Sequence, residues 1–232
     1  MPKIDFENRI LLSITGRKKG EWKEKLEDLN ELKIKKAALF LEGFDQRERK
    51  KIYRALLDST LKEIPLCHAG NDMEIEEFVF LENKFKTKYF TIHESGFGFL
   101  DKWPGFKKKL YLEMNVDDYV SPKVRIEDIG GFCVDLSHFK MALTSWTKDF
   151  DYTYLRKNKV KFGCNHLNGY NPEKNHDMHT VKSLKDFDYL KTLPKFIFSK
   201  FIALEMYNSI DEQIKFKKYL KNLLLNHFHR KI

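Results

Sequence analysis

The chain has 232 residues, of which 42% are hydrophobic and 33% are charged. This length suits one domain with a full hydrophobic core, and no apolar run approaches the roughly 20 residues that a membrane-spanning helix needs. Residues 1–9 are polar and charged and lack the apolar stretch of a secretory signal, so we expect a cytoplasmic protein with no membrane partner.

The net charge of +9 favours an anionic partner, either a nucleic acid or a phosphorylated metabolite. Because the lysines are dispersed, a lysine-rich surface without a partner is the alternative. The three cysteines, Cys67, Cys133 and Cys164, include no CxxC pair. We therefore expect no disulfide framework and interpret the cysteines as small apolar side chains in the core.

Eight short apolar runs, rich in residues that favour strands, follow one another along the chain. Each run ends in a polar residue and is followed by a charged stretch. The runs cover residues 10–15, 37–42, 64–68, 89–93, 110–113, 132–135, 162–166 and 201–205. Their composition predicts buried β-strands.

Helical spacing of apolar residues appears between the runs. The segments 21–32, 45–57, 74–83, 183–190 and 211–225 have this spacing. Ser183 stands where an N-cap is expected for the fourth segment. After the fourth and fifth runs, glycines and prolines such as Gly96, Pro104 and Pro122 predict short or irregular connections.

Strands that alternate with helices predict a parallel sheet. Eight such units favour closure into a (β/α)8 TIM barrel, with residues 1–232 forming a single domain. The alternative is an open doubly wound sheet, but no GxGxxG sequence follows the first run to support it.

Ionisable residues end six consecutive runs, from the third to the eighth. The residues are His68, His93, Glu113, Asp135, His166 and Glu205; His138 follows the sixth run, and the loop after the seventh run adds Asp177 and His179. In a parallel barrel these strand ends lie on one face, where crowded charges are costly without a partner. One such residue alone is commonly structural, but the repetition predicts a metal site, and imidazole with carboxylate suits Zn, Mn or Fe.

Two motifs within these strand ends carry a family resemblance. They are Asp135-Leu-Ser-His138, and His166-Leu-Asn168 followed by Asp177-Met-His179; Ala-Leu-Phe-Leu before Gln46-Arg47 is a weaker third. On these motifs the chain resembles the xylose-isomerase-like TIM barrels across about residues 10–225. That superfamily includes sugar isomerases and epimerases and the endonuclease IV family of abasic-site DNA repair enzymes (AP endonuclease family 2).

The resemblance to endonuclease IV implies three metal ions, with Glu113 bridging the first two. The residues implied for the three ions are, in order, His68, His93 and Glu113; Glu113, Asp135, His166 and Glu205; and His138, Asp177 and His179. The resemblance to the sugar enzymes implies instead one Mn2+ or similar ion on Glu113, Asp135, His166 and Glu205. In that case Glu113 and Glu205 would also be catalytic, exchanging protons with the sugar.

Three functions remain open from the sequence. The first is hydrolysis of a phosphodiester, in abasic-site DNA or another phosphoester, at a centre of two or three Zn2+ ions. The second is isomerisation or epimerisation of a sugar or sugar phosphate with one divalent metal. The third is a barrel without enzymatic activity that keeps the metal for stability or binding. Only the first uses all nine residues.

Overall fold

A parallel β-sheet forms the centre of the computed structural model, which describes residues 5–16 and 20–229. The strands are β1 Ile10–Leu11, β2 Ser13–Ile14, β3 Ala38–Phe40, β4 Leu66–His68, β5 Tyr89–His93, β6 Leu110–Glu113, β7 Gly131–Asp135, β8 Phe162–Leu167, β9 Gly169–Asn171, β10 His176–Met178 and β11 Phe201–Leu204. The nine-stranded sheet has the order β1-β11-β8-β7-β6-β5-β4-β3-β2, and β9 and β10 form a separate antiparallel pair.

The sheet is nearly closed into a barrel. Its two outermost strands, β1 and β2, are separated in the chain only by Leu12. Ile10 of β1 pairs with Ile202 of β11, and Ser13 of β2 pairs with Ala38 of β3. Each of the eight apolar runs contributes to this sheet, and the first run supplies both β1 and β2. This arrangement argues against the open doubly wound alternative.

Helices flank the sheet. They are α1 Phe6–Arg9, α2 Glu21–Glu31, α3 Gln46–Leu57, α4 Ile75–Phe85, α5 Leu136–Ser145, α6 Lys148–Tyr154 and α7 Ile210–His229. Those expected in segments 21–32, 45–57, 74–83 and 211–225 are confirmed, and the connections after β5 and β6 contain only 3₁₀ turns, as expected. None of the helices in the described ranges is long and apolar enough to cross a membrane.

The segment expected as a helix over 183–190 differs in type. It forms a 3₁₀ helix, Leu184–Thr192, whose N-cap is Ser183 as expected. Leu184, Phe187 and Leu190 recur every three residues, which is the repeat of a 3₁₀ helix. Phe187 and Leu190 are fully buried, whereas Leu184 remains exposed. Spacing by three therefore places two of these side chains in the core without a full α-helix.

Aliphatic, aromatic and cysteine side chains form a buried cluster inside the nearly closed sheet. They are Leu11, Ala38, Phe40, Leu66, Tyr89, Tyr111, Cys133, Cys164, Phe201 and Ala203. All three cysteines are buried and free, which confirms their interpretation as core residues. Gly163 lies against the Tyr111 ring, and a Cβ at this position would stand 2.1 Å from Tyr111 Cε1. Only glycine therefore fits here, and this fixes the contact between β6 and β8.

Candidate metal centre

The strand register brings the ionisable residues to one rim of the sheet. His93 at the end of β5 pairs with Glu113 at the end of β6, and Asp135 of β7 pairs with His166 of β8. His68 ends β4 in the same way. His68 and His166 are fully buried, and Glu113 and Asp135 are only 2% and 3% exposed. The rim therefore holds a dense set of charges away from water.

Glu113, Asp135, His166 and Glu205 form the central group, and one ligand atom from each lies within 4.8 Å of the others. The Nδ1 atom of His166 lies 2.8 Å from Glu113 Oε2 and 3.2 Å from Glu205 Oε2. On the other side of the ring, His166 Nε2 lies 3.3 Å from the hydroxyl of Thr91. A proton on Nε2 that is donated to Thr91 leaves the Nδ1 lone pair facing the carboxylates, which is how metal-bound histidines are oriented.

Asp135 is held in place by three donors. Its Oδ1 accepts from the His138 backbone N–H at 2.8 Å and from the Ser137 hydroxyl at 2.8 Å. Its Oδ2 accepts from the side-chain amide of Asn168 at 3.1 Å. Asp135 thus caps α5 and also contributes to the central group, so one carboxylate has both a structural role and a place among the candidate ligands. Asn168 was recognised as part of a motif, but its contact with Asp135 is visible only in the fold.

Glu113 is the residue that the histidines share. Its Oε2 atom lies 3.8 Å from His68 Nδ1, and its Oε1 atom lies 3.8 Å from His138 Nδ1. Its Oε2 atom also lies 2.8 Å from His166 Nδ1, so this carboxylate faces imidazoles from β4, α5 and β8. A carboxylate in this position can bridge two cations.

A second group contains a residue that the sequence analysis missed. Glu42, His68 and His93 have ligand atoms within 4.8 Å of one another. Glu42 Oε2 lies 3.2 Å from His68 Nε2 and 3.0 Å from His93 Nε2. Within the described residues, His93 therefore belongs to a group with Glu42 and His68, and not to a group that contains Glu113. Glu42 ends the second apolar run, so the pattern of polar residues at run ends could have identified it.

The third expected set, His138, Asp177 and His179, is more loosely arranged. The β9–β10 hairpin carries Asp177, whose Oδ2 lies 3.0 Å from His179 Nε2 and 3.9 Å from His138 Nε2. The Nδ1 atom of His179 lies 3.1 Å from the backbone carbonyl of Glu205. Donation to this carbonyl directs His179 Nε2 towards Asp177, again the orientation of a metal-bound histidine.

Opposite charges compensate one another across the rim. Burial disfavours the charged His166 imidazole, but the carboxylates of Glu113 and Glu205 outweigh it and raise the pKa of His166 well above its ordinary value. Burial also opposes ionisation of Glu113, yet the imidazole of His166 holds the pKa of Glu113 well below its usual range. Burial raises the pKa of Asp135. Because metal ions and protons compete for the same imidazoles, a bound cation would displace these protons.

Several buried nitrogen and oxygen atoms of the rim form no hydrogen bond with any described residue. These atoms are His68 Nδ1 and Nε2, His93 Nδ1, Glu113 Oε2, His138 Nδ1, His166 Nδ1 and Glu205 Oε2. All of them except His93 Nδ1 lie within 3.8 Å of an opposite charge, so ion-pair contacts compensate them in part, and a cation bound among them would satisfy them together. Imidazole nitrogens and carboxylate oxygens are ligands for Zn2+, and these residues therefore fit the metal that the resemblance implies.

A groove of about 390 Å3 adjoins the third set. Asp177 and His179 line it together with Lys174, His176 and Tyr207. The groove thus places one lysine beside the aspartate and one histidine of the third set, and an anionic ligand could contact that lysine.

Comparison of the sequence with models of known protein families finds no match, and comparison with curated proteins finds no significant match.

Proposed function

We propose that this chain is a single-domain (β/α)8 barrel that hydrolyses phosphodiesters at a centre of two or three Zn2+ ions, with abasic-site DNA as the first substrate to test. The observation that carries the proposal is that imidazoles from β4, α5 and β8 all face the buried carboxylate of Glu113. A site for a single ion has no use for so many ligands.

The proposal assigns the residues to the ions as follows. Glu113, Asp135, His166 and Glu205 would hold one ion, His68 and His93 would contribute to a second, and His138, Asp177 and His179 would hold a third. Clustered zinc ions lower the pKa of a water molecule and neutralise phosphate oxygens. The chain itself supplies orientation: Thr91 orients His166, Asn168 orients Asp135, and the carbonyl of Glu205 orients His179.

An anionic substrate fits the charge of the molecule. The chain carries a net charge of +9, and the groove beside Asp177 and His179 contains Lys174. Positive charge near a groove attracts phosphates and increases the rate of association. These features support a phosphoester as the substrate.

A sugar isomerase or epimerase is the second candidate. It is favoured by the central group. The four residues of this group are buried, one ligand atom of each lies within 4.8 Å of the others, and they suffice for one divalent ion. Glu113 and Glu205 both contact His166, so two carboxylates face the same position. In that function they would move protons between sugar carbons.

The decisive experiment combines zinc analysis with two substrate classes. Purified protein is analysed for zinc and is assayed on an abasic-site DNA duplex beside a panel of ketoses and ketose phosphates. We expect two or three zinc equivalents and cleavage of the duplex that chelator abolishes and zinc restores. A single metal equivalent with turnover of a ketose would overturn the hydrolase proposal in favour of the isomerase.

A further inference from the structure

We infer that Glu42, His68 and His93 form a metal site of their own at the solvent side of the rim, with Glu42 as a ligand and one coordination position open. The inference deepens the proposed function, since it rests on the rim being a metal centre, but it holds for either reaction. It differs in the carboxylate from the set that the resemblance to endonuclease IV implies: Glu42 rather than Glu113 completes the site of His68 and His93.

The geometry supports this choice of carboxylate. The Nε2 atoms of two imidazoles converge on the same oxygen of Glu42, at 3.2 Å for His68 and 3.0 Å for His93. The two rings lie 4.9 Å apart and are tilted by 56°. By contrast, His68 presents its other nitrogen, Nδ1, to Glu113 at 3.8 Å. The Nε2 atoms of both histidines thus face Glu42, whereas Nδ1 of His68 faces Glu113.

Burial of His68 supplies an independent observation. The side chain is fully buried, and neither ring nitrogen forms a hydrogen bond with any residue in the described ranges. A neutral imidazole has one donor and one acceptor nitrogen, and leaving both without a hydrogen bond in the interior is costly. His68 Nε2 lies 3.2 Å from Glu42 Oε2, but this contact does not have the geometry of a hydrogen bond. A cation bound to Nε2 would satisfy it instead.

The loops that carry Glu42 and His68 are fastened to each other. The buried guanidinium of Arg49 donates to the carbonyl of Phe44 at 2.6 Å, in the loop of Glu42, and to Asp72 at 2.9 Å, in the loop after His68. At Gly70 a Cβ atom would lie 3.6 Å from the Cα of Glu42, so the two loops are in close contact. Arg49 therefore connects the loop of Glu42 to the loop that follows His68.

The ligand set and its exposure indicate the role of the site. Two histidines and one glutamate are the ligand set of catalytic zinc sites that keep a fourth position for water or substrate. The side chains of Glu42 and His93 are 40% and 32% exposed, whereas His68 is buried beneath them. The open position therefore faces solvent, where an oxygen of an anionic substrate can reach it.

Zinc titration of the full chain tests the inference. Protein stripped with chelator is titrated with Zn2+ against a chromophoric competitor, for the wild type, Glu42→Gln, Glu113→Gln and the control Glu76→Gln. Glu76 is an exposed glutamate on α4, so its variant makes the same change of charge away from the rim. We expect Glu42→Gln to lose one zinc equivalent or to bind it at least about 10-fold more weakly, while Glu76→Gln matches the wild type.

A second measurement uses the wild-type chain and needs no variant. Because Glu42 is partly exposed, a carbodiimide can label its carboxylate, and mass spectrometry measures the extent. We expect zinc to protect Glu42 from labelling but not Glu76. Unchanged zinc binding in Glu42→Gln, or unchanged labelling of Glu42 with zinc, would overturn the inference. If Glu113→Gln loses zinc in that case, the proposed metal centre survives; if the wild type binds no zinc, both fail.

Discussion

Replacing Glu113 by Gln removes the carboxylate that the rim histidines share. The amide is nearly the same size but neutral, and it faces His166 at the position where an oxygen now lies 2.8 Å from Nδ1. Loss of a residue that only hydrogen-bonds to a metal ligand weakens metal binding by about 10–100-fold. Loss of Glu113, which contacts several of the candidate ligands, should weaken metal binding at least as much. We therefore expect Glu113→Gln to lose zinc equivalents and activity together.

The size of the effect follows from linkage. At a free zinc concentration 100 times the Kd, each site stabilises the fold by about 2.7 kcal/mol, which raises the Tm of a chain of this size by about 5–11 °C. A 10–100-fold weaker site at the same zinc concentration contributes only about 0.4–1.4 kcal/mol, or about 1–6 °C. The assay is thermal unfolding with chelator and with zinc, beside elemental analysis of the dialysed protein.

The matched control is Glu48→Gln, which also removes a buried carboxylate. Glu48 accepts from Trp22 Nε1 at 2.9 Å and from Lys51 at 2.7 Å, and it belongs to none of the three ligand sets. Its variant should keep the full zinc-dependent rise in Tm. If Glu113→Gln shows the same zinc content and the same rise in Tm as the wild type, the role of Glu113 as a metal ligand is refuted.

Three further predictions concern residues around the rim. Arg49→Met leaves Glu77 buried without its cation, and we expect a loss of about 3–5 kcal/mol in the free energy of unfolding, measured with urea; a loss below about 1 kcal/mol would contradict this. Asn168→Ala removes a donor to Asp135, so zinc affinity should fall by about 10–100-fold with an unchanged circular dichroism spectrum; unchanged affinity would show that Asp135 needs no such support. Burial lowers the pKa of Lys25 to about 8, so between pH of about 8 and about 10.5 the unfolded chain keeps a proton on this lysine that the folded chain has lost. The free energy of unfolding should therefore rise with pH over this range, by about 3 kcal/mol in the wild type, and Lys25→Met should lack this rise. Identical pH profiles of the unfolding free energy for the two proteins would contradict the prediction.

The strands and most of the helices could be predicted from the sequence because their signals are local. Eight apolar runs and four amphipathic segments lie where the structure has strands and α-helices. Helices α1, α5 and α6 were missed, although Leu136, Phe139 and Ala142 are buried on one face of α5. There, Asp135 was interpreted as a possible ligand at a strand end, and the same residue also begins the helix. A residue with two roles gives the sequence only one signal.

Which residue meets which is decided by the tertiary structure. The sequence determined that histidines, aspartates and glutamates end consecutive strands, because apolar runs and their polar ends are visible without the fold. It did not determine that His93 faces Glu42, which lies 51 positions away, or that Asn168 supports Asp135. Those contacts depend on the register of parallel strands that lie close together in the sheet, from β3 to β5 in the first case and β7 with β8 in the second. Distances between loop side chains follow only once that geometry exists.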